Sequence, residues 1–217
     1  EQKRVWAGMA KETAHQLGTP LSSLMGWQAH LEELKIDPMI TAEMKKDLQR
    51  LERITDRFSK IGSEAKLEEN NIVDTIEENL VYLKARLSKK VEINFNAGID
   101  SKIKVPHNQS LMDRVIENLC KNSVDAMSGV GRLSLLVSED KTHVHIDVTD
   151  TGKGVSSNDQ KAIFEPGYST KKRGWGLGLA LVKRIICEHH KGKVFVLKSK
   201  KGVGTTIRIS LPLETLS

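Results

Sequence analysis

The chain has 217 residues and a formal charge of +6, which fits a soluble protein with room for two domains. Its basic residues are spread along the chain rather than gathered on one stripe, so the charge does not indicate nucleic-acid binding. Cys120 and Cys187 have neither disulfide nor metal-site spacing. No run of about 18 apolar residues predicts a membrane span. We therefore expect a cytoplasmic segment. Because Glu1 stands in the middle of a helical pattern, we expect a longer parent protein whose upstream region decides any membrane attachment.

Residues 1–66 carry the pattern of two long helices. Apolar residues recur at steps of three and four from Val5 to Leu34, and again from Ile40 to Ile61. The turn lies before Pro38, because a residue that precedes proline is pushed out of the helical region. Thr41 is the predicted N-cap of the second helix.

Two helices have too little interior to bury both apolar stripes. We therefore expect a homodimer through residues 1–66, in which two hairpins close a four-helix bundle. The alternative is that the stripes pack on the second domain of the same chain.

Residues 67–71 form a short polar link, and residues 72–217 alternate between helix and strand signals. Helices are predicted at 72–87, 108–127 and 177–190, and strands at 91–97, 102–105, 132–138, 143–150, 193–198 and 205–211. This order predicts a two-layer α/β sandwich with a mixed sheet.

Asp150 ends a predicted strand and is followed by Gly152 and Gly154. Glycines permit tight turns and close approach of a ligand, and an aspartate at a strand end can accept a hydrogen bond from an exocyclic amine. An ordinary structural turn would read the same way.

A second glycine-rich segment opens the 177–190 helix: Gly174, Gly176, Leu177 and Gly178. Glycines at a helix N-terminus favour phosphate, because free amides and the helix dipole point at it. The segment is not a dinucleotide fingerprint, since it follows a loop rather than a strand.

Asn118 and Asn122 stand four residues apart on the 108–127 helix and therefore share a face. Their amide oxygens can bind a hard cation such as Mg²⁺, with phosphates and water completing the shell. Surface asparagines are the alternative, although asparagine is a poor helix former. The turn before Thr205 has the sequence Gly-Val-Gly-Thr and by itself is ordinary.

The order of these motifs resembles the Bergerat ATP-binding fold of DNA gyrase, heat-shock chaperones, mismatch-repair ATPases and histidine kinases. The asparagine pair, Asp-x-Gly-x-Gly, Phe-Glu-Pro, Gly-x-Gly-Leu-Gly and Gly-x-Gly-Thr follow one another over nearly all of residues 72–217. The resemblance implies that Asp150 reads adenine, that Asn122 with Asn118 holds Mg²⁺, and that the Gly174–Gly178 segment wraps the phosphates of ATP. It also implies a short mobile lid at 165–173, in which Lys171 and Arg173 meet the triphosphate or form a solvated loop.

The segment from His15 to Leu21 resembles the phosphoacceptor box of sensor histidine kinases, which places the chain with two-component systems. Pro20 within a helix removes a hydrogen bond and crowds the preceding turn, which kinks the helix. Because this costs helix stability, we expect the kink one turn after His15 to serve a function. A neutral imidazole is a good nucleophile at cytoplasmic pH. The resemblance implies that His15 accepts the γ-phosphoryl group.

Gln16 departs from the family pattern, which has an acidic residue directly after the histidine. A glutamine cannot take a proton, so slower autokinase chemistry is expected, with Glu12 as a candidate substitute. In the family, the position of Thr19 helps to place the water that dephosphorylates the partner. A helix threonine that bonds back to a carbonyl is the alternative.

The resemblance thus implies a protein-histidine kinase that passes its phosphoryl group to an aspartate of a response-regulator receiver domain. A gyrase-like or mismatch-repair ATPase is the first rival, although those proteins carry a catalytic glutamate where this chain has Asn118. A scaffold with an inactive nucleotide site is the second. The stimulus, the regulator's identity and the choice between cis and trans phosphorylation cannot be read from these residues.

Overall fold

The computed structural model describes residues 20–34, 36–59, 66–98, 103–168 and 176–214, with side chains excluded at 49–59. The chain divides into two compact units, Glu1–Glu64 and Ala65–Ser217. No helix in these described ranges combines the length and the apolar character that a membrane crossing needs.

The first unit contains helix α1 at residues 20–33 and helix α2 at Pro38–Ser59. Asp37 caps α2, because its Oδ1 accepts a hydrogen bond from the Met39 N–H at 2.8 Å. The expectation of an N-cap at Thr41 was wrong. The proline ring presets the backbone for the first helical position, so the helix starts one turn earlier.

The hairpin buries only part of its apolar stripe. Leu21 and Leu48 are buried, and so is Gln28, whose amide donates to the Thr41 carbonyl at 3.4 Å. By contrast, Leu24 is 51% exposed and Trp27 is 64% exposed. Large apolar side chains therefore lie on the outside of this unit.

The second unit alternates strands with helices along the chain. Its strands are β1 (Glu68–Asn71), β2 (Val91–Ala97), β3 (Lys104–His107), β4 (Gly131–Glu139), β5 (His143–Asp150), β6 (Lys193–Lys200) and β7 (Gly204–Pro212). Its helices are α3 (Ile72–Lys84), α4 (Gln109–Ala126) and α5 (Gly178–Arg184), with a 3₁₀ turn at Ala162–Phe164 and a π-helical turn at Ile185–His189.

Five strands form one mixed sheet in the order β2-β4-β5-β7-β6. Strand β2 runs parallel to β4, and the other neighbours are antiparallel. Residues Ile116 and Leu119 of α4 and Ile186 of the π-helical turn form one core with sheet residues such as Leu135 and Ile146. The predicted two-layer α/β sandwich with a mixed sheet is confirmed.

Residues 68–71 differ from the polar link expected there. They form β1, which pairs antiparallel with β3, and Asn71 then caps α3 by accepting the Val73 N–H at 3.0 Å. The partner strand lies more than 30 residues further along the chain, so local composition could not reveal the pairing.

The predicted helix at 177–190 is present with one change of geometry. Helix α5 passes at Ile185 into a π-helical turn, where the His190 Nδ1 lies 2.9 Å from the Ile185 carbonyl oxygen. Gly192 follows, and its N–H donates to the Ile186 carbonyl at 2.9 Å. These wider-spaced bonds end the helix.

Candidate functional site

Asp150 lies at the end of β5 with only 7% of its surface exposed. Its Oδ1 accepts the Gly152 N–H at 2.8 Å, and the Ser123 hydroxyl and the Thr205 N–H lie near the carboxylate. Burial raises the pKa of Asp150, while the Gly152 N–H and the nearby polar groups of Ser123 and Thr205 lower it in part. The result is a buried carboxylate whose Oδ1 is held by a backbone donor.

The loop after Asp150 is wedged between α4 and the last hairpin. A Cβ atom on Gly152 would lie 2.7 Å from the Ala126 backbone at the end of α4. Gly154 has φ +72° and comes so close to the hairpin that a Cβ there would lie 2.2 Å from the Lys200 carbonyl oxygen. Side chains at either position would push the loop away from the site.

The hairpin between β6 and β7 forms a wall beside Asp150. At Gly204, φ is +139° and a Cβ would lie only 1.9 Å from the Asp150 carbonyl oxygen. Thr205 is buried and stands directly opposite Asp150 in the β5–β7 register. Its hydroxyl shares a hydrogen bond of 2.9 Å with the Ser199 hydroxyl. A turn that looks ordinary in sequence is therefore part of the site.

Asn118 and Asn122 lie half-buried on α4, below the start of α5. The Asn118 Nδ2 donates to the Arg114 carbonyl at 2.8 Å, which directs its Oδ1 towards Gly178. A Cβ on Gly178 would lie 3.1 Å from that oxygen and 3.5 Å from the Asn122 Nδ2. The fold therefore brings the asparagine pair to the glycine-rich segment, and its amide oxygens are of the kind that hard cations prefer.

Gly167, in the described part of the predicted lid, lies beside Gly176, which follows the lid in the chain. The Gly167 N–H donates to the Gly176 carbonyl at 3.2 Å, and Gly176, with φ +64°, leaves no room for a Cβ beside Gly167. Leu177 follows as the half-exposed residue before α5. The Lys183 Nζ of α5 pairs with the Glu165 Oε1, at the start of the predicted lid, at 2.7 Å.

Several predicted site residues lie outside the described residues. They are the phosphoacceptor candidate and two residues beside it, two residues of the lid, and the first glycine of the glycine-rich segment: His15, Gln16, Thr19, Lys171, Arg173 and Gly174. Within the described part of the chain, Asp150 lies opposite Thr205, and the asparagine pair lies beside Gly178.

Sequence reasoning missed Ser123. It lies in the last turn of α4, directly after Asn122, is 5% exposed and lies near the Asp150 carboxylate. A serine in a helix interior is weaker than alanine as a helix former, and this is the signal that could have pointed to it.

Comparison with known proteins places this arrangement among nucleotide-binding domains. The family described as histidine kinase-, DNA gyrase B- and HSP90-like ATPase matches residues 107–215, a range that contains Asn118, Asp150, Gly178 and Thr205. Sensor histidine kinase ZraS of Salmonella typhimurium is 33% identical over 94% of this chain and 45% of that protein. The chain thus spans less than half the length of this curated relative.

Two solved structures share the fold over nearly the whole chain. Full-length ShkA in complex with AMPPNP has a TM-score of 0.73 and 23% identity, covering 97% of this chain and 46% of that one. Histidine kinase ThkA in complex with response regulator protein TrrA has a TM-score of 0.66 and 20% identity, covering 99% and 64%.

The resemblance to sensor histidine kinases is confirmed by these relatives. Because the family match covers 109 of the 217 residues, and those residues build the site around Asp150, the chain belongs to the histidine kinase-, DNA gyrase B- and HSP90-like ATPase family.

Proposed function

We propose that this chain is the core of an ATP-dependent protein-histidine kinase that phosphorylates its own His15 and passes the phosphoryl group to an aspartate of a response regulator. The observation that carries the proposal is that the loop after the buried Asp150 and the start of α5 both lie against α4, the first at Ala126 and the second at the Asn118–Asn122 pair. The sensor histidine kinases among its relatives support the same reading.

Asp150 supplies the contact to the base. A buried carboxylate with a remaining acceptor position favours a ligand that offers an N–H group, and the exocyclic amine of adenine is such a group. Because Gly152 and Gly204 carry no side chain, the loop and the hairpin pack closely on both sides of Asp150. This leaves room for a flat ring to approach the carboxylate. Thr205 completes this wall.

Asn122, with Asn118, would hold Mg²⁺. When bound there, the ion neutralises charge on the phosphates of ATP. The backbone amides of Gly174, Gly176, Leu177 and Gly178 would contact those phosphates, and Lys171 and Arg173 would offset the remaining negative charge. Phosphoryl transfer depends mainly on such positioning and neutralisation.

His15 would be the nucleophile, because a neutral imidazole nitrogen can attack the γ-phosphorus in line with the departing ADP oxygen. Transfer requires the γ-phosphorus of the bound nucleotide in line with this nitrogen, and motion of the nucleotide-binding unit would gate the rate. Gln16 would orient the ring without accepting its proton, and Thr19 would place water for phosphatase activity on the partner.

The hairpin would bind both protein partners, a second copy of the chain and a response regulator. Leu24, Trp27 and Met39, which is 75% exposed, leave an apolar surface that a second copy would cover in a four-helix bundle. The receiver domain of a response regulator would dock on the bundle beside His15. The neighbouring ThkA structure, solved with its response regulator, supports this partner class.

The test is incubation with γ-labelled ATP. The wild type is expected to gain an acid-labile, base-stable label typical of phosphohistidine. His15→Ala and Asn122→Ala should not gain it. His30→Ala, which changes a half-exposed histidine of the same hairpin, is the matched control and should label like the wild type.

Two outcomes would contradict the proposal. Label that persists in His15→Ala places the acceptor elsewhere. Hydrolysis of ATP without any protein label in the wild type would favour the rival ATPase reading.

A further inference from the structure

One row of residues crosses the sheet at the Asp150 site. Asp150 of β5 lies directly opposite Thr205 of β7, and Thr205 lies directly opposite Ser199 of β6. On β4 the row continues with Leu133, which is fully buried. Residues directly opposite each other in an antiparallel pair place their side chains on the same face, with Cβ atoms about 5 Å apart. The Thr205 side chain therefore stands between those of Asp150 and Ser199.

The Ser199 hydroxyl lies within hydrogen-bond distance of a donor, an acceptor and a second hydroxyl. The Val155 N–H donates to the Ser199 Oγ at 2.8 Å. The Ser199 hydroxyl donates to the Gly204 carbonyl oxygen at 3.1 Å, because a carbonyl oxygen can only accept. The remaining bond joins the Ser199 Oγ to the Thr205 Oγ1 at 2.9 Å. Since a serine hydroxyl has a single proton, the proton of this bond comes from Thr205.

This proton assignment decides what Thr205 offers to a ligand. Its proton points towards Ser199 and therefore away from Asp150, because the three side chains stand in one row. The Thr205 Oγ1 keeps an acceptor position. Asp150 and Thr205 are then neighbouring acceptors, and such a pair favours a ligand group that carries two N–H bonds. The exocyclic amine of adenine is such a group.

We infer that Ser199 is a positioning residue for base recognition, whose hydroxyl takes the Thr205 proton so that the Thr205 Oγ1 faces the base as an acceptor beside Asp150. The inference deepens the proposed function and rests on it, because it takes ATP as the ligand. It adds a reason for rejecting purines with an oxygen in place of the amine. Such an oxygen would meet acceptors only, and both sides would lack a donor.

The experiment compares ATP with inosine 5′-triphosphate on the full chain. The inosine nucleotide carries a carbonyl oxygen where ATP carries the amine. Dissociation constants for both are measured by displacement of a fluorescent ATP analogue, and the wild type should prefer ATP. Ser199→Ala frees the Thr205 proton to donate to the carbonyl oxygen, so the preference for ATP should fall about fivefold. Loss of the bond from Val155 weakens both nucleotides alike and cancels in the ratio.

A second substitution shows whether Ser199 acts through Thr205. Thr205→Val removes the hydroxyl and keeps a side chain of similar shape. In that background, Ser199→Ala should leave the ratio of the two dissociation constants unchanged, because residues that act through one bond are not additive.

The matched control is Ser210→Ala, which removes a hydroxyl of the same strand that bonds to the His145 Nδ1 at 2.8 Å. It should keep the ratio of the wild type. If Ser199→Ala does not fold, Ser199→Cys, whose thiol is both a weak donor and a weak acceptor, should show a smaller fall in the preference for ATP.

The inference is overturned if Ser199→Ala, or Ser199→Cys in its place, leaves the ratio at the wild-type value, since that pattern indicates a role in packing alone. It is also overturned if Ser199→Ala lowers the ratio equally with and without the Thr205 hydroxyl. In both cases the wild type would still bind ATP and label His15, so the proposed function would stand. A wild type that binds the two nucleotides equally would overturn the inference together with the assignment of Asp150.

Discussion

Acidification from pH 7 to pH 5 should destabilise the second unit, and the buried imidazole of His190 should contribute a measurable share of the loss. This side chain is 1% exposed. Its Nδ1 donates to the Ile185 carbonyl at 2.9 Å, and its Nε2 accepts the Asn108 N–H at 3.1 Å. The neutral ring therefore satisfies both nitrogens, and a second proton would remove the acceptor for Asn108.

Burial is the main reason that the pKa of His190 falls to about 4, and the nearby rings of His107 and His189 lower it further. In the unfolded chain the pKa returns to 6.5. The unfolded state therefore binds more protons below pH 6.5, and folding stability is lost as the pH falls from there towards 4. From these two pKa values, the loss between pH 7 and pH 5 is about 2 kcal/mol.

The assay is urea unfolding of the full chain at pH 7 and at pH 5, followed by circular dichroism. His190→Gln isolates the contribution, because glutamine does not titrate. The decrease in unfolding free energy from pH 7 to pH 5 should be about 2 kcal/mol smaller in His190→Gln than in the wild type. Equal decreases in the two proteins would refute the assignment of this acid sensitivity to His190.

Two further predictions concern the hairpin wall and the phosphoacceptor helix. Gly204→Ala should weaken ATP binding at least about tenfold, because its Cβ would lie 1.9 Å from the Asp150 carbonyl oxygen. The control is Gly202→Ala, at φ +74° with nothing within 4 Å of the added Cβ. It should lower the unfolding free energy by about 1 kcal/mol and leave ATP affinity unchanged. Similar ATP affinities for the two variants would argue against the β6–β7 hairpin forming a wall of the ATP site. Thr19→Ala should lose phosphatase activity towards a phosphorylated receiver domain and keep autophosphorylation, measured on separate reactions; equal loss of both would contradict its role.

Local sequence determined much of the fold. The predicted strands at 91–97 and 143–150 coincide with β2 and β5, and the predicted helix at 108–127 differs from α4 by one residue at each end. These elements follow from side-chain periodicity, which depends only on residues a few positions apart. The order of the glycine, asparagine and aspartate motifs was enough to identify the resemblance to the ATPase family.

Tertiary structure decided how these parts meet. The closeness of Gly204 to the Asp150 carbonyl, the closeness of Gly152 to Ala126, and the pairing of β1 with β3 all join segments far apart in the chain. Periodicity cannot report such contacts, because they depend on sheet order and on where each helix crosses the sheet. The same holds for His190: nothing in its neighbourhood along the chain shows that both ring nitrogens are satisfied and buried.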